Sequence, residues 1–176
     1  MFIVEIDEEL EAAKVLSHND YIIQEKIKGI EYTIDVLCDF CGNVVAVVPR
    51  VRLEVRSGEV AKSITERNEE VINKTVELIA KLNTYGKVIG PITVQCFVTQ
   101  GEKAVADNKV VFLEINPRVG GGVPLTFEAG VNYGKFIEMF AKGYVHSGEI
   151  CDFKEISMMR YDKAVYRNVQ NIDRKD

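Results

Sequence analysis

Histidine is scarce and tryptophan is missing altogether: His18 and His146 are the only imidazoles in 176 residues. Both lie in peripheral segments, so neither a Ser-His-Asp nor a Cys-His catalytic arrangement can be assembled. Cysteine is limited to Cys38, Cys41, Cys96 and Cys151. Cys38-Asp-Phe-Cys41 has the spacing of half a zinc site, but the other two cysteines are solitary, which argues against a structural zinc. Cys38 instead continues an apolar face, and Cys41 opens a turn. No stretch approaches the ~20 apolar residues that span a bilayer, and the first residues lack the basic region and apolar core of a signal peptide. The expectation is a cytoplasmic protein with reduced thiols. A net charge of −5 and a pI near 5.2 argue against a general nucleic-acid or anionic-membrane surface. Internal repeats and low-complexity linkers are also lacking, so residues 1–176 read as one unit, with a frayed tail over 167–176.

Local patterns assign most of the chain. Asp7 caps a short helix running to about Ser17. Residues 21–27 read as a strand, and 31–40 as another in which Tyr32, Ile34, Val36, Cys38 and Phe40 alternate with the polar Glu31, Thr33, Asp35 and Asp39. That alternation puts one face in a core and the other towards solvent. Cys-Gly-Asn marks a hairpin turn into 44–48, and 50–55 and 60–65 are further extended segments around Ser57-Gly58-Glu59. From Thr65, early glutamates and the stripe Val71, Ile72, Val76, Ile79, Leu82 indicate a helix that stops near Gly86. Pro91 opens a strand over 92–99, which a polar hairpin (100–108) returns antiparallel into 110–116. A helix follows Pro124 or restarts at Asn132, and 156–166 add an edge strand. Hairpins dominate this order, which predicts an α+β fold in which an antiparallel sheet carries helices on one face.

The most informative stretch is Val110-Val-Phe-Leu-Glu-Ile-Asn-Pro-Arg-Val-Gly-Gly-Gly-Val-Pro-Leu125. Strand periodicity turns Phe112, Glu114 and Asn116 one way and Val111, Leu113 and Ile115 the other. With the apolar set in a core, Glu114 and Asn116 stand side by side over a cleft, as oxygen donors of the kind Mg²⁺ prefers. The antiparallel partner brings Gln95 to the same face as a third oxygen donor. Arg118, just beyond, suits phosphate charge. Gly120, Gly121 and Gly122 form either a loop that main chain brings close to a ligand or a flexible turn; no Gly-Lys-Ser/Thr follows, so it is not a Walker loop. Arg50, Arg52 and Arg56 share parity if their strand is regular. Such a cluster either orients an anionic substrate or pairs with neighbours such as Asp35 and Glu54.

The 110–130 segment resembles the metal-binding strand and loop of the ATP-grasp superfamily, and is most similar to proteins related to the carbamoyl-phosphate synthase large subunit. Tyr-Ile-Ile-Gln-Glu-Lys-Ile-x-Gly-x-Glu-Tyr-Thr-Ile-Asp, from residue 21, resembles the adenine-linker strand of the same superfamily. The resemblance covers roughly residues 20–142 and implies the carboxy-terminal lobe of an ATP-grasp domain. It further implies ATP and Mg²⁺ (or Mn²⁺) as cofactors, with Gln95, Glu114 and Asn116 as metal ligands and Arg118 assisting at the phosphates. Glu25 and Ile27 would meet the adenine edge through main chain, Glu31 would take the ribose hydroxyls, and Leu113 would pack on adenine although alternation favours Phe112. Lys62 falls near a phosphate-contacting residue of D-alanyl-D-alanine ligases. The activity implied is phosphorylation of an unidentified carboxylate by ATP to an acyl phosphate, followed by displacement with a nucleophile. The superfamily's preceding lobe, with its glycine-rich flap, has no counterpart before residue 20. The expected partners are therefore that lobe or a second copy, and the alternative is a non-catalytic binding or interaction module.

Overall fold

The computed structural model describes residues 9–11, 14, 24–56, 58–99, 110–161, 163, 164 and 166. Its strands are β1 (Gly29–Cys38), β2 (Val44–Arg56), β3 (Glu59–Thr65), β4 (Gly90–Thr99), β5 (Val110–Asn116) and β6 (Ser157–Met159), and its helices are α1 (Glu69–Asn83), α2 (Val123–Glu128) and α3 (Tyr133–Ala141). The strands form one antiparallel sheet in the order β5-β4-β1-β2-β3-β6. The α+β class and the antiparallel sheet are as expected. The helices, however, divide between the two faces. On β1, Tyr32 donates its hydroxyl to Glu66 Oε1 at 2.6 Å, just before α1. Asp35, three residues on and so on the opposite face, accepts from Thr126 Oγ1 on α2 at 2.5 Å.

Coverage on both sides explains why β2 begins as an unbroken apolar run rather than an alternating one. Val45, Ala46, Val47 and Val48 are all fully buried. It also corrects the expected solvent face of β1: Thr33 and Asp35 are 6% and 1% exposed. A buried carboxylate needs a partner, and Asp35 finds one in Arg50, whose Nε and Nη2 donate to its two oxygens at 2.7 and 3.0 Å. Both side chains are 1% exposed.

Other departures have local causes. Residues 44–48 and 50–55 are one strand, β2, with Pro49 inside it. The N and C=O of a strand residue point to the same side, and Pro49 O accepts from Glu66 N at 3.0 Å, on the side where β3 has already ended at Thr65. The missing N–H therefore falls where no ladder bond is required. Thr65 does not begin the helix. It is the last residue of β3, opposite Arg50, and its hydroxyl bonds the backbone at Lys154 and Ile156. The cap is Asn68, whose side chain accepts from Val71 N at 3.2 Å, so α1 starts with Glu69 and Glu70 at its positive end. Residues 24–27 of the expected strand at 21–27 are irregular, and 21–23 lie outside the described residues. Of the early helix, residues 9–11 and 14 are described and helical, while 100–109 of the expected hairpin lie outside the description. The edge strand expected over 156–166 shortens to Ser157–Met159.

Two outcomes follow from this core. Replacing Asp35 by Asn or Arg50 by Met strands the other partner in the interior, at a cost of about 3–5 kcal/mol; the paired replacement should cost less than the sum of the two. Urea unfolding of the three variants measures this, and an additive double variant contradicts it. Burial also raises several acidic protons, Tyr133 and Cys151 among them: Tyr32, with added help from its bond to Glu66, is pushed up to about 12, Cys38 to about 11 and Cys96 to about 12. Unfolded, these groups ionise near ~10 and ~8.5, so above those values the unfolded chain releases protons that the folded chain retains. Stability should therefore be complete near pH 8 and fall progressively from about pH 9 to 12; a flat unfolding midpoint between pH 8 and 10.5 contradicts the assignment.

Candidate functional site

The sheet's register assembles one polar row across four strands. Glu114 on β5 stands opposite Gln95 on β4, Gln95 opposite Thr33 on β1, and Thr33 opposite Arg50 on β2. Thr93 pairs Asn116 one step along, so Gln95, Glu114 and Asn116 do share a face, as expected. Asn116 Nδ2 donates to Glu114 Oε1 at 2.8 Å, and Gln95 Oε1 lies 3.4 Å from Arg52 Nη1. Glu31 joins the same group, because Arg52 Nη1 donates to its Oε1 at 2.7 Å. Arg52 thus bridges the expected ribose carboxylate and an expected metal ligand.

Alternation along β5 is not regular. The register slips between the Gln95/Glu114 and Cys96/Phe112 pairs, leaving Leu113 without an opposite residue. Phe112 consequently packs against the core, on the face away from Glu114, and Leu113 is 39% exposed. Parity had grouped Phe112 with Glu114; the bulge undoes this. Bulges in the β2–β3 pairing, around Glu54, likewise separate Arg56 from Arg50 and Arg52. Arg56 and Lys62 both turn to Glu54, at 2.8 and 2.5 Å, and those two cations hold its carboxyl below the usual range. Glu25 is exposed and Ile27 half-buried in the irregular lead-in to β1.

The polar face opens into a cleft of about 220 Å³, lined among others by Thr33, Arg50, Arg52, Gln95, Arg118 and Arg160 and roofed by Gly120, Gly121 and Gly122. The loop packs closely on the sheet at Gly120 and Gly122. A Cβ on Gly122 would sit 2.1 Å from Arg50 Nη1, and one on Gly120 would sit 2.9 Å from Thr93 Oγ1. These glycines let main chain lie directly on buried side chains of the sheet. Thr93 Oγ1 also donates to Arg118 O at 3.0 Å, which anchors the loop where it leaves β5. Arg160 donates Nη1 to Glu59 at 2.8 Å and Nη2 to Gly121 O. Its position depends on β6 pairing with β3, more than thirty residues beyond the motif in sequence, and no local signal announces it. Of the expected site residues, Gln95 and Arg118 line the cleft, whereas Glu114 and Asn116 stand beside it on the same sheet face and Glu31, Lys62, Leu113, Glu25 and Ile27 do not line it.

The donor chemistry suits a hard cation in one respect and limits it in another. Glu114 offers a carboxylate, and Gln95 and Asn116 offer amide oxygens from adjacent positions. Among the described residues no three His, Cys, Asp or Glu side chains come together. A Mg²⁺ ion here would therefore need ligand phosphates to complete its shell, as this ion commonly does.

A family model described as ATP-grasp in the biosynthetic pathway with Ter operon matches residues 17–164, whereas no curated protein matches the chain. Solved structures share the fold. N5-carboxyaminoimidazole synthetase from Staphylococcus aureus superposes with a TM-score of 0.64 at 19% identity, over 90% of this chain and 42% of that one, and another structure of that enzyme is complexed with ADP. The biotin carboxylase domain of the Hydrogenobacter thermophilus 2-oxoglutarate carboxylase, in complex with MgADP, ADP and bicarbonate, gives 0.55 at 17% identity, over 74% and 29%. L-amino acid ligase from Bacillus licheniformis gives 0.54 at 20% identity, over 88% and 40%. The chain thus spans less than half the length of these proteins. No described helix is long and apolar enough to cross a membrane. With the family model covering most of its residues, the chain belongs to the ATP-grasp family.

Proposed function

We propose that this chain is the ATP- and Mg²⁺-binding lobe of an ATP-dependent ligase that activates a carboxylate as an acyl phosphate. The observation that carries the reading is the common sheet face of Gln95, Glu114 and Asn116, next to an arginine-lined cleft whose wall Gln95 joins. The nucleotide supplies the phosphoryl group, and the bound cation offsets charge on its phosphates. A substrate carboxylate oxygen attacks the γ-phosphorus, the bond to the ADP oxygen breaks, and a nucleophile later displaces phosphate from the acyl group. Gln95, Glu114 and Asn116 hold the cation, and Arg118 stabilises charge spread over the transferring phosphoryl oxygens.

Glu31 receives the ribose hydroxyls, with Arg52 fixing its carboxylate. Glu25 and Ile27 offer main-chain groups to the adenine edge. Leu113, displaced from alternation by the bulge and partly exposed, remains available to pack on the base. Lys62 is held by Glu54 and reaches phosphate only if it leaves that pair. The finer likeness to carbamoyl-phosphate synthase rests on residues 110–130 and favours a carboxylate-to-acyl-phosphate first step. The bicarbonate in the Hydrogenobacter thermophilus complex and the amino acid named for the Bacillus licheniformis ligase support small acids as acceptors.

The decisive substitution is Glu114→Gln, which keeps size and one oxygen but removes the charge a cation needs. Glu114 is exposed and accepts a hydrogen bond from Asn116 Nδ2, so the fold should lose no more than about 0.5 kcal/mol. Calorimetric titration should show Mg²⁺-dependent ATP binding in the parent chain and its loss in the variant, with matching melting midpoints. Equal Mg²⁺-ATP affinity in the two proteins rejects the metal role, and a collapsed midpoint makes Glu114 structural.

A further inference from the structure

Large apolar side chains crowd the surface at the end of the sheet where β1 turns into β2. Phe40, Phe140, Tyr144 and Val145 wall a recess of about 180 Å³ between that turn and the end of α3. Phe40 meets Phe140 edge-on, with 5.9 Å between ring centres, yet Phe40 and Tyr144 remain about half exposed. The turn after α1 lies alongside. Asn83 Nδ2 donates to Gly42 O, and Asn83 Oδ1 accepts from Val88 N, both at 2.8 Å. These bonds fix residues 84–89 beside the hairpin and hold out Ile89 and Tyr85, the latter 84% exposed. Cys151 N donates to Val45 O at 2.8 Å, just past the hairpin turn, so the exposed Ile150 reaches the same end.

The area is that of an interface. Aromatic side chains bury ~150–250 Å² each, so Phe40, Tyr85 and Tyr144 at their exposures offer roughly 350 Å² between them. With Ile89, Val145 and Ile150 the patch reaches ~600 Å², the upper end for an ordinary monomer and most of the ~800 Å² each partner buries in a stable complex. The charge pattern selects the occupant. A two-fold interface sets a surface against its own copy, so an uncompensated central charge would meet itself. Among the described residues, Asp39 is the one charged side chain lining the recess. It is buried, and its carboxylate turns inward onto Cys41 N, Asn43 N and Asn43 Nδ2 at 2.8, 2.8 and 2.9 Å. At the rim Glu138 and Lys142 pair with each other, and the exposed Lys87 and Glu149 bear opposite signs. Shape agrees with charge. The recess is smaller than the ~300–1,000 Å³ of drug-sized ligand sites, but an apolar cavity of ~150 Å³ accepts a benzene ring. It suits one aromatic side chain, and Tyr85 projects one beside it.

We infer that this end of the chain is a two-fold interface between two copies, in which Tyr85 of each enters the recess of the other. Thr33, in the cleft wall, and Phe40 are separated by roughly 20 Å of extended chain. Pairing at the recess therefore leaves the cleft open, and the inference stands apart from the ligase reading.

The test is sedimentation of the parent chain over a nanomolar-to-millimolar dilution series. It should convert reversibly into a species of twice its mass, with or without Mg²⁺-ATP. Because the contact is apolar and each copy carries a net charge of −5, added salt should leave association intact or strengthen it. Tyr85→Ala should weaken it about thirtyfold, the scale of an interface hot spot, and Val145→Asp should abolish it. Met159→Ser, at a similarly exposed position on β6, should change nothing. In the parent, rising concentration should slow hydrogen exchange over 40–43, 84–89 and 143–146 but not over 120–122, and this pattern decides the matter if a variant does not fold. A dimer that either folded variant leaves undiminished, equal weakening by Met159→Ser, or growth beyond the dimer overturns the interface. A parent that stays monomeric also overturns it and leaves a different protein as the occupant. Loss of Mg²⁺-ATP binding with the dimer intact would reject the nucleotide reading alone.

Discussion

The buried pair Arg50–Asp35 is the contact on which the site's geometry depends. It joins the two central strands, and Thr126 ties α2 to the same carboxylate. Gly122 then lies on the free edge of the guanidinium, and Gly120 lies on Thr93. The glycine loop is thus fastened to the sheet from below by one ion pair, one threonine on each side and the absence of two side chains. A hydrophobic pair of equal volume at positions 35 and 50 would hold the strands as well, since buried ion pairs seldom add net stability over apolar packing. It would not place an N–H donor under the loop.

This dependence links architecture to chemistry. Helices lie on both faces of the sheet at β1 and β2, and the cleft is where the glycine loop arches over β4, β1 and β2. The oxygen donors come from β4 and β5, while the cationic lining comes from β2 (Arg50, Arg52), from the loop after β5 (Arg118) and from just beyond β6 (Arg160). Arg52 connects them, with one nitrogen serving Glu31 and approaching Gln95. Such a bridge restrains the side chains before a ligand arrives, which lowers the ordering cost of binding.

Much of this was legible in the sequence. The strand pattern, the antiparallel return of 110–116 onto 92–99 and the α+β class follow from period-two alternation and turn residues, which depend on neighbours a few positions away. The shared face of Gln95, Glu114 and Asn116 follows from the same arithmetic. The arithmetic failed where a strand bulged: Phe112 went to the core, Leu113 left the alternation, and Arg56 separated from Arg50 and Arg52. Bulges arise from how two strands meet, and a single strand's periodicity does not record them.

Residue types and spacing by themselves determined the ligand chemistry available, a carboxylate and amides beside an arginine and three glycines, because that information is local and covalent. Tertiary structure alone decided that Asp35 is buried against Arg50, that the glycines rest on side chains of the sheet, and that Arg160 closes the cleft. Each of these depends on packing between segments tens of residues apart, where charge is stable only once a distant partner and the surrounding layers exclude water.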